Sequence, residues 1–142
     1  MSTVRLGVAD YPLAEKRPEL IEGRRGKPLG DLTLEAVLAG SVTMDDLRIT
    51  ATALRQQSAI SRAAGRPTLA ENFERAAELV EVPQDVIMKV YELLRPGRVS
   101  STEPLFEAAR ELRETYGAAR MAQFVEEAAK VHDERGLLTR RY

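Results

Sequence analysis

The stretch Thr68–Gly97, TLAENFERAAELVEVPQDVIMKVYELLRPG, carries the clearest structural pattern in the chain. Its first half places Leu69, Phe73, Ala76 and Val80 three or four positions apart. This spacing puts side chains on one face of an α-helix. The second half repeats the pattern more densely, until a proline and a glycine at 96–97 interrupt it. The stretch therefore predicts two amphipathic helices joined by a short turn.

Local signals predict where these two helices begin. Thr68 and Glu71 have the spacing of a capping box, in which each side chain reaches the other residue's free backbone N–H. Pro83 fits the first turn of the second helix, because the missing N–H costs nothing there. We expect the second helix to run to about Leu94 and to be the most buried one, because its apolar stripe is wide. The stripe comprises Val86, Ile87, Val90, Tyr91, Leu93 and Leu94.

On the N-terminal side, two threonines predict helix starts. Thr33 can cap a short helix over 34–39, which Gly40 closes, and Thr50 can cap a helix from Ala51 to about Ala64. Gly65 and a proline at 67 then lie beyond that helix.

On the C-terminal side, the helical pattern continues to about Val131. Ser101 or Thr102 can cap a further helix, Gly117 interrupts the pattern, and Gly136 can cap the end of a last helix. No segment alternates with a period of two. We therefore predict an all-α fold, a single helical domain of about five to six helices over residues 31–142. The apolar stripes of the two C-terminal helices are Leu105, Ala109, Leu112 and Tyr116, and then Met121, Phe124, Val125, Ala128 and Val131.

Residues 1–30 differ from the rest. Prolines and glycines are dense there and argue against long helices, yet apolar residues such as Tyr11, Leu13 and Ile21 are scattered through the segment. We expect an extended N-terminal arm that contacts a partner subunit. The sequence leaves open whether this arm packs on its own core or on that partner.

Composition narrows the range of functions. The 142 residues include 44% hydrophobic and 30% charged residues, no cysteine and one histidine, with a net charge of −1. Without cysteine there is no disulfide, thiolate nucleophile or cysteine metal site. No apolar run reaches the roughly 18 residues of a membrane span, and no strong basic field exists to attract nucleic acid. We expect a cytoplasmic protein that binds neither membrane nor nucleic acid.

A search for catalytic groups finds none that converge. His132 is expected to be a helix C-terminal cation or a surface residue. The segment Gly23–Pro28 lacks the spacing of a phosphate-binding loop and is interpreted as a basic turn. The acidic pairs at 45–46 and 126–127 point about 100° apart on a helix, so they form caps and solvated faces rather than an acid–base dyad. We expect no catalytic, cofactor-binding or metal-binding residue in this chain.

Two small basic patches remain, one formed by Arg24, Arg25 and Lys27 and one by Arg140 and Arg141. They are interpreted either as salt-bridged contacts with another subunit or as solvated surface, and the residues alone do not decide between the two.

Several blocks of the sequence resemble, in order, the small subunit of adenosylcobalamin-dependent diol and glycerol dehydratases. They cover about residues 10 to 135. The blocks are Asp10–Ala14, Leu32–Leu38, Asp46–Thr50, Asn72–Leu79, Val82–Pro83, Tyr91–Pro96, Ala122–Ala129 and Glu134–Arg135.

The resemblance implies a subunit of a hydro-lyase that removes water from propane-1,2-diol or glycerol to give an aldehyde by a radical mechanism. It implies a large (alpha) subunit that holds the active site and a metal ion, potassium or calcium. Adenosylcobalamin would lie between the large and the medium (beta) subunits, in a dimer of heterotrimers. The small (gamma) subunit would pack on the large one and contribute no catalytic group.

Two departures from the family pattern stand out. The chain reaches Asp10–Pro12 without the additional N-terminal amphipathic helix of some small subunits, so packaging into a bacterial microcompartment would depend on the partner subunits. The loop after Arg95 is slightly longer than usual, with Gly97 where an aromatic is common. The alternative from another class is a free-standing helical adaptor or scaffold, whereas a carboxylate-dependent hydrolase would need convergent acids. Which diol is preferred does not follow from this chain.

Overall fold

The computed structural model describes residues 5–139. This part of the chain is all-α, as predicted, and it contains no β-strand beyond one isolated bridge between Glu22 and Pro28. Three 3₁₀ turns lie before the first long helices, at Val8–Asp10, Pro18–Leu20 and Leu29–Asp31. The α-helices are α1 (Leu13–Lys16), α2 (Leu34–Leu38), α3 (Met44–Leu47), α4 (Ala51–Ala63), α5 (Pro67–Leu79), α6 (Gln84–Leu94), α7 (Glu103–Glu114) and α8 (Ala119–Glu134).

The chain divides into two compact units, one ending at Val80 and one beginning at Glu81. The first unit contains α1 to α5 and the second contains α6 to α8. The boundary predicted near residue 31 therefore lies inside the first unit, and the separate arm over residues 1–30 stays a prediction.

Threonine caps determine two helix starts in the first unit, both as predicted. The Oγ1 of Thr33 accepts a hydrogen bond of 3.1 Å from the backbone N–H of Ala36, and the Oγ1 of Thr50 accepts one of 3.1 Å from that of Ala53. Each bond satisfies one of the N–H groups that a helix start leaves without a partner.

The capping box predicted at Thr68 is wrong. Helix α5 already begins at Pro67, so Thr68 lies inside the helix, and no side chain caps its start. Proline is well suited to the first helical position because its φ angle is already helical and its nitrogen has no hydrogen to satisfy. Proline thus overrides the threonine signal.

Small residues hold α4 and α5 together. Ser58 and Ser61 of α4 and Ala70 and Ala77 of α5 are buried, and the hydroxyl of Ser58 donates to the carbonyl oxygen of Ala70 at 3.0 Å. The predicted stripe of Leu69 and Phe73 is only partly buried. Small side chains allow two helices to approach closely, so the contacting face lies to one side of the larger apolar residues.

In the second unit, α7 and α8 form the core. Leu105, Ala109 and Leu112 of α7 are at most 1% exposed, which confirms these three members of the predicted face. The fourth, Tyr116, lies beyond the end of α7 and is partly buried. By contrast, α6 buries only Val90 fully and leaves Tyr91 56% exposed, so the prediction that it is the most buried helix is wrong. The width of an apolar stripe does not determine how much of it another helix covers.

The last helix is rotated from its predicted orientation. Its buried residues are Ala122, Val125, Ala129 and His132, whereas Phe124 and Val131 are exposed. After α8, Gly136 has a φ of 66°, and the N–H of Leu137 donates to the carbonyl oxygen of His132 at 2.8 Å. This glycine cap confirms the predicted helix end.

Candidate functional site

The only histidine of the chain is buried. His132 lies in the last turn of α8, as expected, but its side chain is 8% exposed and its Nδ1 has no hydrogen-bond partner among residues 5–139. The expectation of a surface residue is therefore wrong. The spacing of Ala122, Val125, Ala129 and His132 is that of one helical face, and this signal was available in the sequence.

The basic turn at Gly23–Pro28 is held against α3 within the same unit. Gly23 and Lys27 close the turn, with the N–H of Gly23 donating to the carbonyl oxygen of Lys27 at 2.8 Å. A Cβ atom on Gly23 would overlap the backbone carbonyl of Asp46, so only glycine allows this close approach. The interpretation of this segment as a basic turn fits these contacts.

Arg25 forms the central ion pair of this contact. Its Nε donates to Oδ1 of Asp46 at 2.8 Å and its Nη2 to Oδ2 at 2.5 Å, while Lys27 donates to the carbonyl oxygen of Ser41. The Asp46 side chain is fully buried and that of Arg25 is about half exposed. Of the two interpretations left open for this patch, neither describes Arg25, because its carboxylate partner is in the same unit. Arg140 and Arg141 lie outside the described residues.

The electrostatics of this pair favour the charged forms. The guanidinium of Arg25, together with the backbone N–H of Thr43, holds the pKa of Asp46 well below its usual range. The Asp46 carboxylate in turn raises the pKa of Arg25. Asp46 is thus a structural carboxylate that accepts hydrogen bonds from Arg25 and from the N–H of Thr43. For the pair 45–46, the interpretation as a helix cap is confirmed for Asp46 and the interpretation as a solvated face for Asp45. Asp45 is largely exposed.

The second acidic pair is also engaged locally. Glu126 accepts two hydrogen bonds from Arg113, at 2.7 and 3.0 Å, and Glu127 accepts one from Gln123 at 3.0 Å. The Arg113 guanidinium lowers the pKa of Glu126. Among the described residues, no three His, Asp or Glu side chains come together in a way that could hold a metal ion.

The N-terminal segment packs against α4. Leu6 and Leu13 are buried with Ile60, and Leu20 and Ile21 lie partly buried against them. Arg17 and Asp10 brace the segment with a 2.9 Å ion pair. The sequence left open whether the N-terminal segment packs on its own core or on a partner. Leu6, Leu13, Leu20 and Ile21 pack on their own unit.

Other apolar residues of the first unit remain uncovered. Val8 and Tyr11 are more than half exposed and line a groove of about 240 Å³ with the partly buried Phe73. A second exposed set, here called the 34–49 patch, extends over α2 and α3. It comprises Leu34, Val37, Leu38, Met44, Leu47 and Ile49. Because these residues lie close together along the chain, they mark a candidate surface for binding another protein.

One grouping was not recognised in the sequence. Arg5, Arg55 and Arg62 line a cavity of about 640 Å³ in the first unit, although Arg5 lies far from the other two along the chain. Nothing in the local pattern links Arg5 to α4; only the packing of Leu6 brings them together.

None of the helices within residues 5–139 combines the length and the apolar character that a membrane span requires.

Comparison with known proteins identifies close relatives. Residues 6–139 match the family described as dehydratase small subunit. The chain is 50% identical over 128 residues to the propanediol dehydratase small subunit of Salmonella typhimurium. The aligned region covers 90% of this chain and 73% of the relative. The chain is 49% identical over 128 residues to the propanediol dehydratase small subunit of Citrobacter freundii, covering 90% of this chain and 74% of that relative.

Proposed function

The chain belongs to the dehydratase small subunit family, and from that premise we propose that it is the non-catalytic small subunit of a propanediol dehydratase. The observation that carries the proposal is the identity of about half of all aligned positions with two propanediol dehydratase small subunits, over nine tenths of the chain. The complex would be a hydro-lyase that converts propane-1,2-diol to an aldehyde and water. Glycerol would be assayed beside propane-1,2-diol as a second candidate substrate.

In this proposal the reaction takes place on partner subunits. Among the described residues, no group of acidic and histidine side chains is arranged to hold a metal ion, and the single histidine is buried. Adenosylcobalamin and a metal ion, potassium or calcium, are assigned to the large and medium subunits, which would assemble with this chain as a dimer of heterotrimers in the cytoplasm.

The role assigned to this chain is to cover and stabilise the large subunit. Two exposed sets support the role, Val8 with Tyr11 and the 34–49 patch, because each would lose contact with water in an assembly. The first set belongs to residues 1–30, which we propose contact the partner through their exposed residues while Leu6 and Leu13 hold them to α4.

Co-expression with the large and medium subunits of a propanediol dehydratase tests the proposal. We expect the three chains to co-elute from a size-exclusion column and to dehydrate propane-1,2-diol when adenosylcobalamin is added. The chain alone should show no activity and no change in the cobalamin spectrum. Elution of this chain apart from both subunits would instead favour the free-standing adaptor.

A further inference from the structure

The arginine-lined cavity of the first unit has an unbalanced charge. Arg5, Arg55 and Arg62 surround it, and Glu74 is the single carboxylate among its lining residues. Arg62 is already paired with Glu71, at 2.9 Å. Among residues 5–139, neither Arg5 nor Arg55 has an ion-pair partner. The chain as a whole has a net charge of −1, so this local excess of positive charge is not a consequence of overall composition.

The floor of the cavity offers no reactive group. Leu6 is buried there, and the hydroxyl of Ser58 is fully buried and donates to the carbonyl oxygen of Ala70. Because Arg62 is already paired with Glu71, the guanidinium groups of Arg5 and Arg55 are the lining groups that can bind an anionic ligand. Each presents a planar fork of donors that matches the two oxygens of a carboxylate.

Resting on the proposed function, we propose that this cavity receives an acidic segment of a partner dehydratase subunit, whose carboxylates bind Arg5 and Arg55. Charge complementarity carries the choice of an acidic partner. The size and position of the site favour a protein segment over a small anion. A volume of about 640 Å³ is large enough for several side chains. Arg5 and Arg55 are exposed, whereas a small anion needs donors that converge around it.

The cavity also suits an interface because of how it is built. Arg5 comes from the N-terminal segment and Arg55 from α4, and the burial of Leu6 and Ile60 holds these two elements together. The two guanidinium groups are therefore presented by packed elements rather than by a free tail, which reduces the entropy lost on binding. Arginine is one of the residue types enriched at the energetic centres of interfaces.

The test reverses both charges in the full complex. The variant Arg5→Glu/Arg55→Glu is co-expressed with the large and medium subunits, and the affinity of the small subunit for them is measured after purification. We expect at least a roughly tenfold loss of affinity, since removing one member of an interfacial charge pair costs binding strongly. Arg110→Glu is the matched control, because Arg110 is also an exposed helical arginine, on α7. It should change the affinity by less than about twofold.

The outcomes separate this inference from the proposed function. Loss of affinity in the double variant, with the control intact and circular dichroism unchanged, supports the inference. Wild-type affinity in the double variant overturns it and leaves the proposed function standing. Failure of the wild-type chain itself to join the complex overturns both.

A second measurement distinguishes a small-anion site. Inorganic phosphate should not raise the melting temperature of the wild-type chain more than that of Arg5→Gln/Arg55→Gln. A rise confined to the wild type would show that the cavity binds a small anion, and the inference would be wrong. If the glutamate variant is too poorly folded to measure, Arg5→Gln/Arg55→Gln takes its place in the affinity measurement. This variant should also weaken assembly.

Discussion

The two compact units differ in where their apolar side chains lie. Among the described residues, eleven apolar side chains are buried in the unit that begins at Glu81, and four large ones are exposed. In the unit that ends at Val80, six are buried and eight large ones are exposed. The second unit covers its own core, whereas the first leaves a large part of its apolar surface uncovered. This difference supports the proposed partner contacts of the first unit.

The two short helices of the first unit account for most of the difference. In the second unit, α7 and α8 have 12 and 16 residues, enough to bury one face along several turns. In the first unit, α2 and α3 have five and four residues. Helices this short are marginal by themselves, and they cannot present a continuous face to a neighbour. Their apolar residues therefore remain exposed until something else covers them.

The largest effect is expected in the core of the second unit. Leu105 is fully buried, so Leu105→Ala should lower the free energy of unfolding by about 2–5 kcal/mol, through lost burial and the cavity left behind. Urea unfolding followed by circular dichroism measures this loss.

The matched control is in the first unit. Leu38 is 79% exposed, and Leu38→Ala should change the free energy of unfolding by no more than about 0.5 kcal/mol. Equal losses for the two variants would contradict the contrast between the units.

A smaller loss is expected in the N-terminal segment. Leu13 is buried, but its cluster contains only two other fully buried apolar residues, Leu6 and Ile60. Leu13→Ala should therefore cost about 2 kcal/mol, near the lower end for buried leucines, because a small cluster near the surface can partly collapse. Thermal unfolding of the purified chain measures it. No change in melting temperature would mean that residues 1–30 form an independent arm after all.

The sequence predicted the helices better than the faces they bury. Caps at Thr33, Thr50 and Gly136 depend on neighbouring residues, and these predictions were correct. The rotation of α8 and the exposure of Tyr91 depend on which helix covers which face, and this information is not local. The cavity around Arg55 was missed for the same reason, because its members meet only in the folded chain.

The ion pair of the first unit should make its stability depend on pH. The pKa of Asp46 is lowered, chiefly by Arg25, below the value of about 3.9 that an unfolded aspartate has. A lowered pKa contributes stability that is complete above the unfolded value and is lost as the pH falls through the folded value. The advantage of the wild type over Asp46→Asn should therefore be constant from pH 7 to 5 and shrink below about pH 4.

Asp45→Asn is the control for this pH dependence. Asp45 is exposed and lies 3.5 Å from Arg48, so its removal should change stability little at any of these pH values. Urea midpoints measured at pH 7, 5 and 3 make the comparison. A pH-independent difference between wild type and Asp46→Asn would mean that geometry, rather than charge, accounts for the role of Asp46.

The smallest effects should separate packed from uncovered helices within the first unit. Thr50 and Thr33 make the same capping hydrogen bond, each at 3.1 Å, so their alanine variants remove the same interaction. Thr50 starts α4, which packs on α5 and on the N-terminal segment, so Thr50→Ala should cost about 1 kcal/mol of global stability. Thr33 starts α2, whose five residues include no buried one. Such a helix can open locally without unfolding the rest, so Thr33→Ala should cost less global stability and should instead speed amide exchange within α2.

Hydrogen exchange at Val37 measures the local opening of α2, and urea unfolding of both variants measures the loss of global stability. If covering by a partner is what orders α2, exchange at Val37 should slow in the assembled complex, and equal exchange in the free chain and the complex would place the partner surface elsewhere.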